Sequence, residues 1–280
     1  MVHFDYILTS HGLQLFGQGW STDADPHAVV CLIHGLGEHS NRYVHLAKAF
    51  TDAGIAVLAM DLRGHGKSSG KRGYVANYDF FLDDIDLLIA QAMQRFPGIP
   101  LFLYGHSLGG NLVLYYTMHK KPQIAGVIDS AGVLRPCFKP PASKIVLAKI
   151  MKTVLPGLVM TNGLDRNALS HDPNVIAAYN HDPLVHDRIS SGLALGFLDA
   201  GEWMLAHAVE FPPIPLLVLQ GTEDRIVSPV ASQQFASSVH GDVLYKPWEG
   251  LFHEIHNEPQ KNEVFDFTIK WINDHSNTVK

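Results

Sequence analysis

Two hydrophobic periods alternate along the chain. Continuous apolar runs, with Val29-Val30-Cys31-Leu32-Ile33 the first, read as strands buried on both faces. Runs of the same kind fall at 55–60, 101–104, 126–129 and 216–219, and a short one at 243–245. Between them the period changes to three and four residues. Residues 42–53 read as a helix, with Gly54 suited to the left-handed position that closes one. Phe81, Ile85, Leu88, Ala92 and Phe96 make the apolar stripe of a second helix. Asp83, Asp84 and Asp86 fall mostly off that stripe and are expected in solvent near its N-terminus. Residues 108–118, 230–239 and 262–274 read as further helices. Strand and helix in alternation predict an α/β fold, a mostly parallel sheet covered on both faces.

The rhythm breaks between 133 and 207. This stretch opens with Arg135-Pro136 and Pro140-Pro141 and runs through Ile145-Val146-Leu147, with no obvious buried strand. The strand pattern resumes at Leu216, so 133–207 is expected to be a helical insertion into one core formed by 1–132 and 208–280.

Composition narrows the class. Of 280 residues, 46% are hydrophobic and 17% charged, enough apolar matter for a full globular core. The net charge of −6 argues against general nucleic-acid binding, which needs a basic footprint. The 17 histidines tie that charge to pH, since protonating all of them would turn −6 into +11. The two cysteines, Cys31 and Cys137, are too few for a disulfide framework, and Cys31 is expected to be a buried thiol. The N-terminus lacks the regions of a signal peptide, and no apolar stretch is long enough for a membrane span. A cytoplasmic location is the expectation.

The candidate chemistry centres on Gly105-His106-Ser107-Leu108-Gly109, a G-x-S-x-G pentapeptide between a strand and a helix. That is the setting of a nucleophile elbow, a strained turn whose neighbours must lack side chains. A serine hydroxyl needs a base, itself oriented by an acid, in the chain order serine, acid, histidine. Asp224 and Glu223 follow the 216–219 strand, and Asp129 at the end of the 126–129 strand is a rival. His253 and His256 both suit the base, and spacing does not choose between them. Of the two N–H donors that a tetrahedral intermediate requires, one is expected from Leu108 and one from Leu36 in His34-Gly35-Leu36-Gly37. No metal-ligand pattern stands out among the histidines: His253-Glu254-Ile255-His256 is not H-E-x-x-H, and neither metal nor cofactor is expected.

Taken together, these motifs resemble the monoglyceride lipases over nearly the full chain. The resemblance rests on His34-Gly35-Leu36-Gly37-Glu38-His39-Ser40 with Arg42-Tyr43, on Asp61-Leu62-Arg63-Gly64-His65-Gly66, and on the elbow. Tyr179-Asn180-His181-Asp182-Pro183-Leu184, Gln220-Gly221-Thr222-Glu223-Asp224 and His253-Glu254-Ile255-His256-Asn257-Glu258 extend it. It implies an α/β-hydrolase fold with an eight-stranded, mostly parallel sheet and a helical cap at 133–207. It implies Ser107 as nucleophile, Asp224 as acid, His253 as base, and Leu36 and Leu108 as oxyanion donors. Glu38, Arg42 and His256 would form a polar network beside the site, and His106 and Tyr179 would touch a glycerol head. Ile145 belongs to a cap stretch, 145–160, that is apolar on most of its circumference with sparse Lys144, Lys149 and Lys152. Most of that stretch is expected to pack on the protein, and part to line an acyl tunnel and meet lipid surfaces. The implied reaction is hydrolysis of monoacylglycerols to glycerol and fatty acid. Alternatives are a broader carboxylesterase or lysophospholipase and, remotely, a non-catalytic ligand-binding protein on the same scaffold.

Overall fold

A computed structural model describes residues 1–22, 24–138 and 141–276; Pro140 of the Pro140-Pro141 pair lies outside them. Among the described residues there are ten strands: β1 (Val2–Ser10), β2 (Leu13–Ser21), β3 (Ala28–Ile33), β4 (Ile55–Met60), β5 (Leu101–His106), β6 (Gly126–Ser130), β7 (Val159–Thr161), β8 (Arg188–Ser190), β9 (Leu216–Gly221) and β10 (Val243–Trp248). Eight α-helices accompany them among these residues: α1 (Val44–Asp52), α2 (Phe80–Arg95), α3 (Leu108–Lys120), α4 (Ala142–Val154), α5 (Pro173–His181), α6 (Ser191–Ala206), α7 (Pro229–Ser238) and α8 (Lys261–Ser276).

Eight strands form one sheet in the order β1-β2-β4-β3-β5-β6-β9-β10. Every pair from β4 to β10 is parallel, while β1 with β2 and β2 with β4 run antiparallel. This is an α/β-hydrolase architecture. The continuous apolar runs have a direct cause. In β3, Val29, Cys31 and Ile33 join the core under α2, α3 and α7, while Val30 and Leu32 join the core under α1 and α8. A strand sandwiched this way loses its hydrophobic alternation because both faces are dry. Cys31 is buried and unpaired, with burial pushing its thiol well up. The N-terminal pair β1–β2 went unforeseen. It forms the antiparallel edge, where Val2 and Ile7 stay exposed.

Two expectations need correction. Asp84 is fully buried rather than solvated. Arg63, from the loop after β4, reaches it with two hydrogen bonds, Nε to Oδ2 at 2.7 Å and an Nη to Oδ1, in a pair that is buried on both sides. The 133–207 stretch also holds strand: β7 and β8 make a two-stranded antiparallel ribbon. Three residues each and half exposed, they carry no periodicity for a sequence reading to detect.

Within that stretch, α6 packs on α3 and α7, and α4 packs on α6. No residue of α4 is buried, and Val146, Leu147, Ile150 and Val154 are all more than half exposed. Among the described residues no helix is long and apolar enough to cross a membrane.

Candidate active site

The turn between β5 and α3 is strained where the pentapeptide predicts. Ser107 sits at φ +56°, ψ −114°, a conformation that non-glycine residues seldom adopt. The flanking glycines are sterically required. A Cβ on Gly105 would lie 2.2 Å from the Gly109 carbonyl, and one on Gly109 would lie 2.1 Å from the Ile33 carbonyl. The turn is pinned by Ser107 N–H donating to the Ser130 carbonyl (3.0 Å) and Val133 N–H donating to the Ser107 carbonyl (3.1 Å). The α3 axis therefore starts at the serine, with its positive end toward it.

The loop after β3 lies against this turn. A Cβ on Gly35 would come within 3.3 Å of the Ser107 Cβ. Gly35 N–H donates to Glu38 Oε1 at 2.6 Å, and the Gly37 carbonyl accepts from His186 N–H at 2.8 Å, so the 133–207 stretch grips this loop directly. Gly37 holds φ +79°, and its missing Cβ leaves room for the His186 carbonyl.

The spacing left acid and base open; geometry separates them. His253 Nδ1 lies 2.8 Å from Asp224 Oδ2 in a buried pair. Asp224 accepts three more bonds, from Gln220 Nε2 at 2.9 Å and from the Ile226 and Val227 N–H groups at 2.8 and 2.9 Å. Burial alone would push this carboxyl up, but the His253 charge and these bonds hold it below the usual carboxylate range. Burial alone would push His253 down, and the Asp224 charge and hydrogen bond overcome that and raise it. Glu223 is exposed. Asp129 is buried against Gly110 and Gly132, with neither oxygen in a well-formed hydrogen bond.

The polar network differs from expectation in one member. Arg42 donates to Glu38 Oε2 and makes a two-point contact with Glu254, at 2.8 Å to Oε1 and 2.7 Å to Oε2. His256 takes no part through its ring, whose two nitrogens are buried without partners. It stacks instead on Tyr43 (4.7 Å between centroids) and meets His106 edge-on at 4.6 Å. The place expected for His256 is taken by Glu254, whose two oxygens both accept from the guanidinium. Glu254 and Gln220 were the residues that sequence reasoning passed over. Their signal was an acid directly beside the candidate base and an amide four residues before the candidate acid.

A cavity of about 410 Å³ opens over the serine. Leu36, Glu38, His106, Ser107, Leu108, Ile145, Tyr179 and His253 all line it, while Arg42, Asp224 and His256 stand behind the wall. Val133, Met160, Leu195, Phe197 and Leu198 make much of the remaining surface apolar. His106 places Nδ1 3.0 Å from the Ser130 carbonyl, which fixes the Nδ1–H tautomer and leaves Nε2 as a bare acceptor. Burial pushes this imidazole down to about 4, so it is neutral at physiological pH. Tyr179 is buried, with the Arg42 guanidinium 4.7 Å from its ring centre. A polar end beside the serine and an apolar chamber beyond it suit an amphiphile whose cleavable bond joins a small polar head to a greasy tail.

The chain is similar to known proteins over most of its length. The family described as serine aminopeptidase, S33, matches residues 24–260. A monoacylglycerol lipase of Mycolicibacterium smegmatis is 35% identical over 266 residues, which cover 94% of each chain. An uncharacterised abhydrolase domain-containing protein of Dictyostelium discoideum is 37% identical over 98% of this chain, which spans 29% of that larger protein. Among solved structures, the monoacylglycerol lipase of Paleococcus ferrophilus superposes with a TM-score of 0.85 at 36% identity, covering 93% of this chain and 99% of its own.

Proposed function

From the chain's membership of the monoacylglycerol-lipase family of serine hydrolases, we propose that it hydrolyses monoacylglycerols to glycerol and free fatty acid. The observation that carries this is the Asp224–His253 hydrogen bond, 2.8 Å long and opening on the same cavity as the elbow serine. Ser107 Oγ attacks the ester carbonyl while His253 Nε2 takes its proton. Asp224 holds Nδ1–H and stabilises the imidazolium that forms. The N–H groups of Leu36 and Leu108 receive the oxyanion, each worth about 3 kcal/mol of barrier. Collapse of the intermediate breaks the bond to glycerol, whose oxygen takes the proton from His253. Water, deprotonated by His253, then releases the fatty acid and restores Ser107. We assign His106 and Tyr179, both on the cavity wall, to the glycerol head, and Ile145 with the α6 side chains to the acyl tail.

We assign 133–207 as the cap over this site, and α4 as its contact with lipid. The support is a helix without a single buried residue, whose exposed Val146, Leu147, Ile150 and Val154 are interspersed with Lys144, Lys149 and Lys152. Such a face is costly in water and stable at a headgroup boundary, where lysines reach back to phosphates.

The test is monoolein hydrolysis by Ser107→Ala. Activity near wild type overturns the mechanism. Rates on lysophospholipids or p-nitrophenyl esters well above those on monoacylglycerols would reassign the substrate while keeping the chemistry.

A further inference from the structure

Beside the proposed base, two buried carboxylates share one guanidinium. Glu38 and Glu254 side chains are each 3% exposed, and Arg42 between them is 10% exposed. Every carboxylate oxygen is occupied. Glu38 Oε1 accepts from Gly35 N–H and from the Tyr43 hydroxyl at 2.7 Å, and Oε2 accepts from Arg42. Glu254 receives Arg42 on both oxygens, and Asn257 Nδ2 adds a bond of 2.7 Å to Oε2. Both acids are ionised at neutral pH. Burial, the largest single influence, pushes Glu38 up, but Arg42 together with the neighbouring His106 and His34 and the Tyr43 hydrogen bond brings Glu38 down to about 2; Glu254 is lowered by the charge and hydrogen bonds of Arg42 against its burial.

The cluster thus carries one negative charge more than its cation cancels. The histidines around it do not make up the difference. His106, 4.7 Å from the His253 ring, is held at about 4, and His256 lies well below its ordinary value, both chiefly by burial. Tyr43 remains neutral, with burial raising its phenol. Asp165 and Arg225, on the cavity wall, are exposed, and water screens them. An excess charge in a dry interior is expensive, and such a cluster persists where it has a use.

We propose that the Glu38–Arg42–Glu254 cluster is a second acid site. Its uncompensated charge, placed by Glu254 on the residue next to His253, stabilises the imidazolium that forms while Ser107 attacks. The inference rests on the serine-hydrolase reading and adds to Asp224 a positioning group that works through His253. The cluster also has a second reach. Through Glu38 it holds Gly35 N–H at the start of the proposed oxyanion loop, so one guanidinium links the acceptor of the proton to the holder of the negative charge. The charged groups that act on His253 are then Asp224 after β9, Glu254 on its own loop and Glu38 after β3, with Arg42 between the two glutamates; His106 and His256 beside it are neutral, and Arg166, from the segment packed on the His253 loop, is half-buried 5.7 Å from the Tyr179 ring.

The test is the pH dependence of kcat/KM for wild type, Glu254→Gln, Glu254→Asp and Glu38→Gln. Removing one negative charge disfavours the imidazolium. The acidic limb of Glu254→Gln therefore moves down by about one pH unit, and its plateau falls about tenfold. Glu254→Asp keeps the charge and keeps the wild-type midpoint, whatever its rate. Glu38→Gln neutralises the other end and moves the limb in the same direction as Glu254→Gln, which supplies the answer if Glu254→Gln does not fold. A folded Glu254→Gln whose limb overlays wild type overturns the proposal and leaves the cluster a brace. So does a Glu254→Asp limb displaced as far as that of Glu254→Gln. Wild-type activity in Ser107→Ala overturns the parent reading instead, so the two failures are distinguishable.

Discussion

Asp129 offers a quantitative test of how burial is priced in this fold. It ends β6, is fully buried, and packs where Cβ atoms on Gly110 and Gly132 would otherwise be. Burial raises its carboxyl from 3.8 to about 7, with the Gly132 N–H offsetting a part. In the unfolded chain the group returns to its ordinary value. Between about pH 4 and pH 7 the folded state therefore holds a proton that the unfolded state has lost, and stability falls as pH rises through that window. That difference corresponds to roughly 4 kcal/mol at full ionisation. Asp129→Asn keeps the shape and removes the titration. Its stability relative to wild type should improve by about 2–4 kcal/mol between roughly pH 5 and pH 8, read from urea midpoints at equal m-values. At the acid end the two proteins should be close, since a neutral carboxyl and an amide carry similar unmet hydrogen-bonding needs. A difference between the two that is the same at both pH values would refute the reasoning, because no burial penalty would then be attached to the charge.

Other perturbations follow from the same contacts. Asp224→Asn removes the charge that raises His253 and sets the wrong tautomer, so kcat should fall about 10⁴-fold with substrate binding retained; a loss below tenfold would contradict the role. Because Asp224 raises His253 above 6.5, the acidic limb of the wild-type kcat/KM profile should have its midpoint above that value, and activity should decline as the imidazole protonates. Arg63→Met strands a buried Asp84 and should cost about 3–5 kcal/mol, while Arg63→Met with Asp84→Leu recovers most of it; equal losses in single and double variants would deny the pair. Charging α4 with Leu147→Glu and Ile150→Glu should cut co-flotation with phospholipid vesicles without changing hydrolysis of a dissolved short-chain ester; unchanged flotation removes the lipid-contact role.

The parts of the fold legible in the sequence share one property: their pattern is produced by neighbours on both sides. β3, β4, β5 and β9 are each buried along their full length, so their apolar runs announce themselves. The parts that were not legible are those where only one face is dry or where a distant group rescues a polar one. Strand β1 is hard to read because most of it faces water, and β2 because Gly17, Gln18 and Gly19 interrupt its buried run with residues that are not apolar side chains. Asp84 looks like any helix-surface acid until Arg63, 21 residues earlier, closes on it. Local periodicity measures burial averaged over one element and carries no information about a cation arriving from another loop.

The site divides along the same line. The elbow was readable because its requirement is local: the strained φ of Ser107 and the crowding at Gly105 and Gly109 belong to a few consecutive residues. The base was not, because His253 and His256 differ by only three positions and are separated by what each ring meets, Asp224 in one case and Tyr43 in the other. Glu254 is the extreme instance. Its identity was in plain view between the two histidines, yet its consequence depends on a count across the fold: two acids, one guanidinium contributed from 212 positions earlier, and histidines too dry to take a proton. Charge balance in an interior is a property of the assembled cluster. A sequence can state which ionisable groups are present, and only their packing decides which of them is left without a counter-charge beside the reacting imidazole.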